Sequence, residues 1–294
     1  MTLGEALRRA AKHFAAVEIL ETSNPHLEAE LLLQHALGFN RTRLYQHLRD
    51  EMPPDKEAAY HDLVRRRLCG EPTLYIIERT DFCDIELAVT PAAAIPRPET
   101  ELLVDEASAL ADRRLQDTPS LTIVDIGTGC GAIALALATR LPSAQIIATD
   151  ISPAALALAQ RNAERLGLAS SVRFLCGDLL ALLEQPVDIV VANLPYVRSA
   201  EWEALPAEIR CYEPREALDG GPDGLRVIER LLRQAPPLLR SGAALLLEIG
   251  YDHGPPVLAL ASEVFPEATV EVTQDLASLD RLVIIQLSRP TDVS

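Results

Sequence analysis

The residues with the clearest capacity for chemistry form the tetrapeptide Asn193-Leu194-Pro195-Tyr196, which follows an apolar run over residues 187–192. The run has the length and composition of a buried strand, so the tetrapeptide is predicted to lie at the carboxyl end of that strand. Asn193 offers a side-chain carbonyl oxygen, and Pro195 holds Leu194 extended so that the Leu194 backbone carbonyl is free to accept a hydrogen bond. Tyr196 adds a flat face for stacking. Such a set can bind and orient the N–H groups of an amide or of an aromatic amine.

A glycine-rich turn lies upstream, between an apolar strand and an alanine-rich helix. Its candidate ligand-binding residues are Asp125, Gly127, Thr128, Gly129, Cys130 and Gly131. Glycine lets the backbone turn tightly and approach a ligand, and the helix that follows offers unpaired N–H groups at its start. The G-x-G-x-G spacing differs from the dinucleotide fingerprint and fits a cofactor that carries an amino acid on a sulfonium better. The turn therefore predicts a site for a nucleoside-bearing cofactor.

Further acidic residues follow the next two predicted strands. Asp150 ends one strand and is placed to accept hydrogen bonds from a ribose diol. Asp178 and its neighbour Leu179 follow the other, where Asp178 is expected to accept from an adenine amino group. Each feature alone is common in doubly wound folds, but their occurrence after three successive strands favours one shared cofactor site. We expect Asn193 to border that site as well.

The two sets of residues together predict methyl transfer onto a nitrogen that is a poor nucleophile. The lone pair of an amide nitrogen is delocalised into the carbonyl, so acceptors that bind its N–H groups both orient it and favour charge build-up as the methyl group arrives. The proton becomes acidic only after methylation, so no general base is needed before attack. The lack of a convincing Ser/His/Asp or Cys/His set in the sequence agrees with this chemistry.

Composition limits the class of protein. A chain of 294 residues with 48% hydrophobic residues can form two domains with sizeable cores. The net charge of −16 argues against sequence-independent binding to nucleic acid, which needs a basic footprint. The five cysteines form no CxxC pair and the histidines show no ligand spacing, so we expect neither a metal site nor a disulfide framework. The N-terminus begins an amphipathic helix and no segment approaches the ~20 apolar residues of a membrane span, which predicts a cytosolic protein.

Periodicity divides the chain into three predicted parts. Residues 1–70 are expected to form a small helical domain, in which Asp55 caps the fourth helix. Residues 71–94 are expected to form a β-hairpin linker with residues 75–78 in its first strand. Over residues 95–294 strands and helices alternate, which predicts an α/β fold with a doubly wound, mainly parallel sheet and an antiparallel pair of strands at one edge.

Several blocks of the chain resemble the release-factor glutamine methyltransferases, the PrmC/HemK family. These blocks are residues 67–75, 95–101, 125–131, 193–196, 217–225, 247–250 and 275–281. The similarity extends over nearly the whole length and is weakest in residues 1–65. The combination of residues 95–101 with residues 219–224 is far more specific than the glycine turn alone.

The resemblance implies a Rossmann-like class I methyltransferase with a seven-stranded sheet and S-adenosylmethionine as its cofactor. The cofactor would be bound by Gly127 to Gly131, Asp150 and the Asp178–Leu179 pair. Asn193 to Tyr196 would hold the glutamine of the GGQ loop of class-1 peptide release factors. Independently of the resemblance, we expect the helical domain of residues 1–70 to recognise the protein partner, because it holds none of the strand-end residues that a doubly wound sheet uses for ligands.

Two residues depart from the family pattern, and the first of them raises an alternative function. Where the family usually has proline, this chain has Leu194, and the resulting Asn-Leu-Pro-Tyr also resembles the rRNA adenine dimethyltransferases. Leu179 stands where the family often has an aromatic residue. The Asn-Leu-Pro-Tyr motif makes methylation of an adenine amino group in RNA or DNA one alternative, and a ribosomal-protein glutamine is another that does not depend on these departures. A nicotinamide-dependent oxidoreductase and a non-catalytic cofactor-binding protein are disfavoured by the glycine spacing and by the intact tetrapeptide.

Overall fold

The chain forms two compact units in a computed structural model that describes residues 1–17, 24–116, 118 and 120–288. The helical unit comprises Met1–Arg79 and Glu203–Glu213, and the sheet unit comprises Thr80–Trp202 and the chain from Pro214 onward. The three-part division expected from the sequence stays a prediction, and its residues 18–23 and 289–294 lie outside the described ranges.

The helical unit consists mainly of helices around one apolar core. Its first helix, α1 (Leu3–Ala15), begins at a capping box in which Thr2 Oγ1 accepts from the Glu5 amide and the Glu5 carboxylate accepts from the Thr2 amide. The other helices are α2 (Pro25–Leu37), α3 (Arg41–Gln46), α4 (Pro54–Leu68), α5 (Thr73–Ile77) and, from the later segment, α9 (Ala207–Tyr212). The core is filled by large buried side chains that include Phe14, Leu32 and Tyr60.

Two local expectations for this unit were wrong. Residues 75–78 are not a strand, because Thr73–Ile77 form α5 and Glu78 ends it with φ of +58°. Tyr75, Ile76 and Ile77 are all buried, whereas a half-exposed strand alternates buried and exposed residues. Asp55 does not cap α4, since Pro53 occupies the cap position and Asp55 lies in the first turn.

A β-hairpin does follow, displaced along the chain from the expected position. Its strands are β1 (Arg79–Phe82) and β2 (Ile85–Ala88). The turn residues Cys83 and Asp84 both have positive φ, at +47° and +64°. The hairpin thus begins four residues later than the apolar pattern indicates. Residues 75–77 are instead buried in the helical unit as part of α5, and Glu78 ends that helix.

The sheet unit has the expected doubly wound architecture, with seven strands in its main sheet among the described residues. They are β3 (Thr122–Ile126), β4 (Gln145–Asp150), β5 (Val172–Cys176), β6 (Val187–Asn193), β9 (Leu239–Glu248), β10 (Thr269–Gln274) and β11 (Asp280–Gln286). The order across the sheet is β10-β11-β9-β6-β3-β4-β5, with β10 and β11 antiparallel and the rest parallel. The predicted α/β fold class and the antiparallel edge are confirmed.

Helices and a short second ladder complete the sheet unit. The helices are α6 (Glu101–Leu115), α7 (Ala132–Arg140), α8 (Pro153–Arg165), α10 (Arg226–Gln234) and α11 (Gly254–Val264), and the ladder joins β7 (Val197–Arg198) to β8 (Asp219–Gly221). None of the helices in the described ranges combines the length and the apolar character that crossing a bilayer requires.

Strand order places the ligand-binding edge of the sheet. From β3 the chain proceeds outward to β4 and β5, then crosses back to β6 on the other side of β3. Ligands of open α/β sheets bind outside the carboxyl ends of the strands at such a reversal. Ile126 and Ala192 are register partners in β3 and β6, so the residues that follow them emerge side by side at this edge.

Candidate functional site

The glycine turn after β3 is held by backbone hydrogen bonds to the neighbouring strand. The amides of Gly127 and Thr128 both donate to the Thr149 carbonyl at 2.9 Å. Gly127, Gly129 and Gly131 all have positive φ, which glycine adopts without the steric cost of a Cβ. The turn therefore leads directly into α7 with its backbone close to the ends of β3 and β4.

Asp125 lies beneath this turn and is completely buried. Its Oδ2 accepts from Thr128 Oγ1 at 2.6 Å and from the Ala134 amide at 3.1 Å, so it joins the turn to the first residues of α7. Oδ1 has no hydrogen-bond partner among the described residues. Burial raises the pKa of Asp125 to about 7.

Asp150, the last residue of β4, also contacts the glycine turn. Its Oδ2 accepts from the Gly129 amide and its Oδ1 from the Ser152 amide, each at 2.8 Å. Burial raises the pKa of this half-buried carboxyl, against the effect of these backbone donors. Cys130 contributes backbone only, because its thiol is buried and burial raises its pKa to about 12.

The predicted adenine pair lies beyond β5, on the same edge. Leu179 is buried with φ of +51°, an uncommon conformation for a side-chain-bearing residue, and its carbonyl accepts from Thr149 Oγ1 at 3.3 Å. Asp178 is partly exposed and forms an ion pair with Arg230 that the sequence did not indicate. An adenine amino group would share this carboxylate with Arg230.

The acceptor tetrapeptide begins at the last residue of β6, as expected. Asn193 Nδ2 donates to Thr100 Oγ1 at 3.0 Å, which leaves Oδ1 as the amide atom that can accept from a substrate. Leu194 is buried, and Tyr196 donates its hydroxyl to Glu248 Oε1 at 3.3 Å. Burial, reinforced by the Glu248 charge, raises the pKa of Tyr196 to about 12, so the hydroxyl keeps its proton.

Glu248 and Thr100 had no assigned role in the sequence, although both lie in blocks that carried the family resemblance. Glu248 ends β9 and is 2% exposed, and its Oε2 has no hydrogen-bond partner among the described residues. Burial raises its pKa, opposed by hydrogen bonds from Thr100 and Tyr196 and by the charge of Arg281. A lone acidic residue directly after the apolar run of residues 243–247 was the available signal.

The glycines of residues 219–224 allow the chain to pass close to the backbone of Pro195 and Tyr196. A Cβ on Gly220 would lie 2.6 Å from the Pro195 carbonyl oxygen, so only glycine allows this approach. His253 lies edge-on to the Tyr196 ring, with centroids 6.4 Å apart. Its pKa is lowered by burial, against the effect of the Asp252 carboxylate 3.8 Å from Nε2, and neither ring nitrogen has a hydrogen-bond partner in the described part of the chain.

These residues fit a cofactor that combines a cationic amino-acid part with a nucleoside. The buried Asp125 Oδ1 has no partner in the described ranges, the glycine turn exposes backbone at close range, and the Asp150 carboxylate stands at the next strand end. No group of three or more potential metal ligands occurs among the described residues. The polar groups of Asp125 and Asp150 fit an organic cofactor with hydrogen-bonding groups at both ends.

Comparison with known proteins identifies the two domains. Residues 5–77 match the PrmC N-terminal domain, and residues 123–212 match a methyltransferase domain. The release factor glutamine methyltransferase of Moorella thermoacetica is 45% identical over 96% of this chain and 97% of its own length. That of Geobacter sulfurreducens is 41% identical over 88% of this chain and 89% of its own.

A solved structure supports the fold alone. The hMettl16 catalytic domain, determined in complex with the MAT2A 3′UTR hairpin 6, has a TM-score of 0.55 at 18% identity and covers 79% of this chain and 84% of its own. The curated relatives settle the family, because their identity extends over nearly the full length of both chains. This chain belongs to the release factor glutamine methyltransferase family.

Proposed function

We propose that the protein transfers a methyl group from S-adenosylmethionine to the side-chain amide nitrogen of the GGQ-loop glutamine of class-1 release factors. The observation that carries the proposal is the placement of Asn193, which ends β6 beside the glycine turn with its Nδ2 engaged by Thr100. In this arrangement Asn193 Oδ1 remains as the amide atom that can accept from a substrate. The names of the curated relatives supply the substrate class.

In the proposed cofactor site, the residues at the carboxyl ends of β3, β4 and β5 each bind a different part of S-adenosylmethionine. Gly127 to Gly131 would contact the amino-acid part of S-adenosylmethionine, with Asp125 Oδ1 beneath the turn as a buried acceptor. Asp150 would accept from the ribose hydroxyls, and Asp178 with Leu179 would contact the adenine. When bound, S-adenosylmethionine supplies an electrophilic methyl group on its sulfonium.

The acceptor part of the proposal assigns binding and orientation to the tetrapeptide. Asn193 Oδ1 and the Leu194 carbonyl would accept from the two N–H groups of the glutamine amide. Tyr196, held by Glu248 through its hydroxyl, would stack on the amide plane. Acceptors aligned with the N–H groups stabilise the positive charge that the nitrogen gains during transfer.

The charge distribution favours a protein acceptor over a nucleic acid. Residues 91–294 hold 16 basic and 28 acidic residues, and a nucleic-acid substrate needs a basic surface along its phosphates. A glycine-flanked loop can enter a narrow site without such a surface. Accordingly, the proposal includes no direct nucleic-acid binding, and it puts the activity in the cytoplasm, where release factors act.

Methyl labelling tests the proposal. Purified enzyme and isotopically labelled S-adenosylmethionine are incubated separately with release factor, with release factor whose GGQ glutamine is replaced by alanine, with ribosomal proteins and with ribosomal RNA. Label only in the intact release factor is expected, located at the glutamine by mass spectrometry. Label in ribosomal RNA or in a ribosomal protein, with none in release factor, would replace the proposed substrate by that one.

A further inference from the structure

We propose that Thr100 and Glu248 are positioning residues that hold the Asn193 side-chain amide with its oxygen facing the acceptor nitrogen. This inference rests on the proposed function. An asparagine amide has two orientations related by a half-turn about its last side-chain bond. Only one presents an oxygen to the N–H groups of the substrate, and the other sets two N–H₂ groups against each other.

Contact with Thr100 alone does not select the orientation. Asn193 Nδ2 lies 3.0 Å from Thr100 Oγ1. A threonine hydroxyl is both a donor and an acceptor, so it can pair with either end of an amide. The direction in which Thr100 points its own hydrogen must therefore be decided by a third group.

Glu248 is that third group. Its buried carboxyl accepts from the Tyr196 hydroxyl at 3.3 Å, and the nearby Thr100 hydroxyl lowers its pKa as a hydrogen-bond donor does. We infer that this carboxyl is ionised, so that it accepts and does not donate: the charge of Arg281 and the hydroxyl donors favour ionisation, against burial, which raises its pKa. Because the Thr100 hydrogen is directed to Glu248, only oxygen lone pairs remain for Asn193, and these require its N–H₂ end.

The fold brings these groups together from distant parts of the sequence. Asn193 and Glu248 are register partners at the carboxyl ends of the adjacent parallel strands β6 and β9. Thr100 ends the short 3₁₀ turn Pro98–Thr100 and is 4% exposed. Glu248 thus contacts both ends of the acceptor tetrapeptide, Asn193 through Thr100 and Tyr196 directly.

Variants at Thr100 separate positioning from general structure. Thr100→Val keeps the shape and removes the hydroxyl, and Thr100→Ser restores it. We expect Thr100→Val to lower kcat for release-factor methylation by roughly 10- to 100-fold, somewhat less than loss of a direct transition-state partner. The KM for release factor and the Kd for S-adenosylmethionine should stay within about twofold, since the binding surface is unchanged. Thr100→Ser should recover most of kcat.

Ser108→Ala is the matched control, because it removes a second buried hydroxyl, from helix α6, whose hydrogen bond goes to the Val104 carbonyl within that helix. It should leave kcat unchanged. A wild-type kcat in Thr100→Val, or equal losses in Thr100→Val and Ser108→Ala, would overturn the inference. In the Asn193→Ala background, Thr100→Val should cost nothing further. A full additional loss there would show that Thr100 does not act through Asn193.

A measurement on the free enzyme, which needs no methyl transfer, tests this inference separately from the proposed function. In ¹H–¹⁵N spectra of the free enzyme, the Asn193 side-chain N–H₂ pair, assigned by its absence in Asn193→Ala, should shift and exchange faster with solvent in Thr100→Val and in Glu248→Gln. Glu248→Gln also covers the case in which Thr100→Val does not fold. Unchanged N–H₂ signals would overturn the inference, whereas failure of the wild-type enzyme to methylate release factor, with these shifts observed, would contradict only the proposed function.

Discussion

Leu194 packs against Gly127, so the tetrapeptide Asn193–Tyr196 contacts the glycine turn directly. A Cβ placed on Gly127 would lie only 3.2 Å from Leu194 Cδ2. Leu194 is 4% exposed and belongs to the apolar core of the sheet unit. The leucine that departs from the family pattern therefore fills space against the cofactor turn, a role that the sequence did not suggest.

This contact predicts that Leu194→Ala weakens cofactor binding as well as stability. Truncating a buried leucine costs about 2–5 kcal/mol in the free energy of unfolding. The loosened Gly127 turn should also raise the Kd for S-adenosylmethionine several-fold, measured by calorimetry. Leu231→Ala, in the same core but away from the turn, should lose similar stability with an unchanged Kd. Equal effects of both variants on the Kd would argue against the contact.

Asn193→Ala is expected to lower kcat for methylation by about 10²–10³-fold, the usual cost of removing one preorganised polar partner of a reacting group. Its Kd for S-adenosylmethionine should change little, because the glycine turn and Asp150 are untouched. Single-turnover assays and calorimetry on the same preparation measure the two quantities. A near-normal rate would remove Asn193 from the reacting centre.

Asp150→Asn is expected to affect the cofactor first. A hydrogen bond to a charged group contributes about 1.5–3 kcal/mol, so the Kd for S-adenosylmethionine should rise roughly 10- to 100-fold. At saturating cofactor, kcat should recover most of its value. Asp188→Asn provides the control, because Asp188 is a buried carboxylate in the same sheet that accepts from the Thr122 amide and pairs with Arg240. An unchanged Kd in Asp150→Asn would contradict the ribose assignment.

The raised pKa of Asp125 leads us to expect that the stability of the protein depends on pH. Burial raises its folded-state pKa to about 7, well above the ordinary aspartate value of 3.8, so between these values the folded state binds more protons than the unfolded one. The contribution of Asp125 is therefore complete below about pH 4 and is lost as pH rises toward 7, at roughly 1 kcal/mol per pH unit. Relative to Asp125→Asn, the wild type should lose free energy of unfolding from pH 5 to pH 7 in urea titrations. A constant difference between the two proteins would contradict the raised pKa.

Arg67 predicts a large stability effect in the helical unit. Its 1% exposed guanidinium pairs with Glu28 and Glu208, each at 2.8 Å. Arg67→Met leaves two carboxylates without their shared partner, and breaking a buried ion pair in this way costs about 3–5 kcal/mol. The neighbouring Arg66→Met removes a more exposed pair with Glu71 and should cost about 1 kcal/mol or less. Similar urea unfolding midpoints for the two variants would contradict the larger stabilising effect that we expect of Arg67.

Local patterns in the sequence determined where the strands of the site end and which functional groups follow them. The apolar run before Asn193 marks a buried strand, and Pro195 forces the turn after it, because both depend only on neighbouring residues. The glycine turn and Asp150 follow their strands in the same way. Since the carboxyl ends of parallel strands meet at one edge, the order of these residues along the chain was enough to assign them to one site.

Pairings between distant segments were decided by the tertiary structure. Glu248 lies beside Asn193 only because β9 pairs with β6, and Thr100 contacts Asn193 from a turn that precedes the main sheet in the chain. Glu203–Glu213 folds with the helical unit although sheet-unit residues flank it on both sides. Residues 75–78 have the composition of a strand, but burial on all sides made most of them a helix. Hydrophobic period is a property of adjacent residues, whereas strand order, buried ion pairs and the direction of a hydroxyl hydrogen depend on which segments pack together.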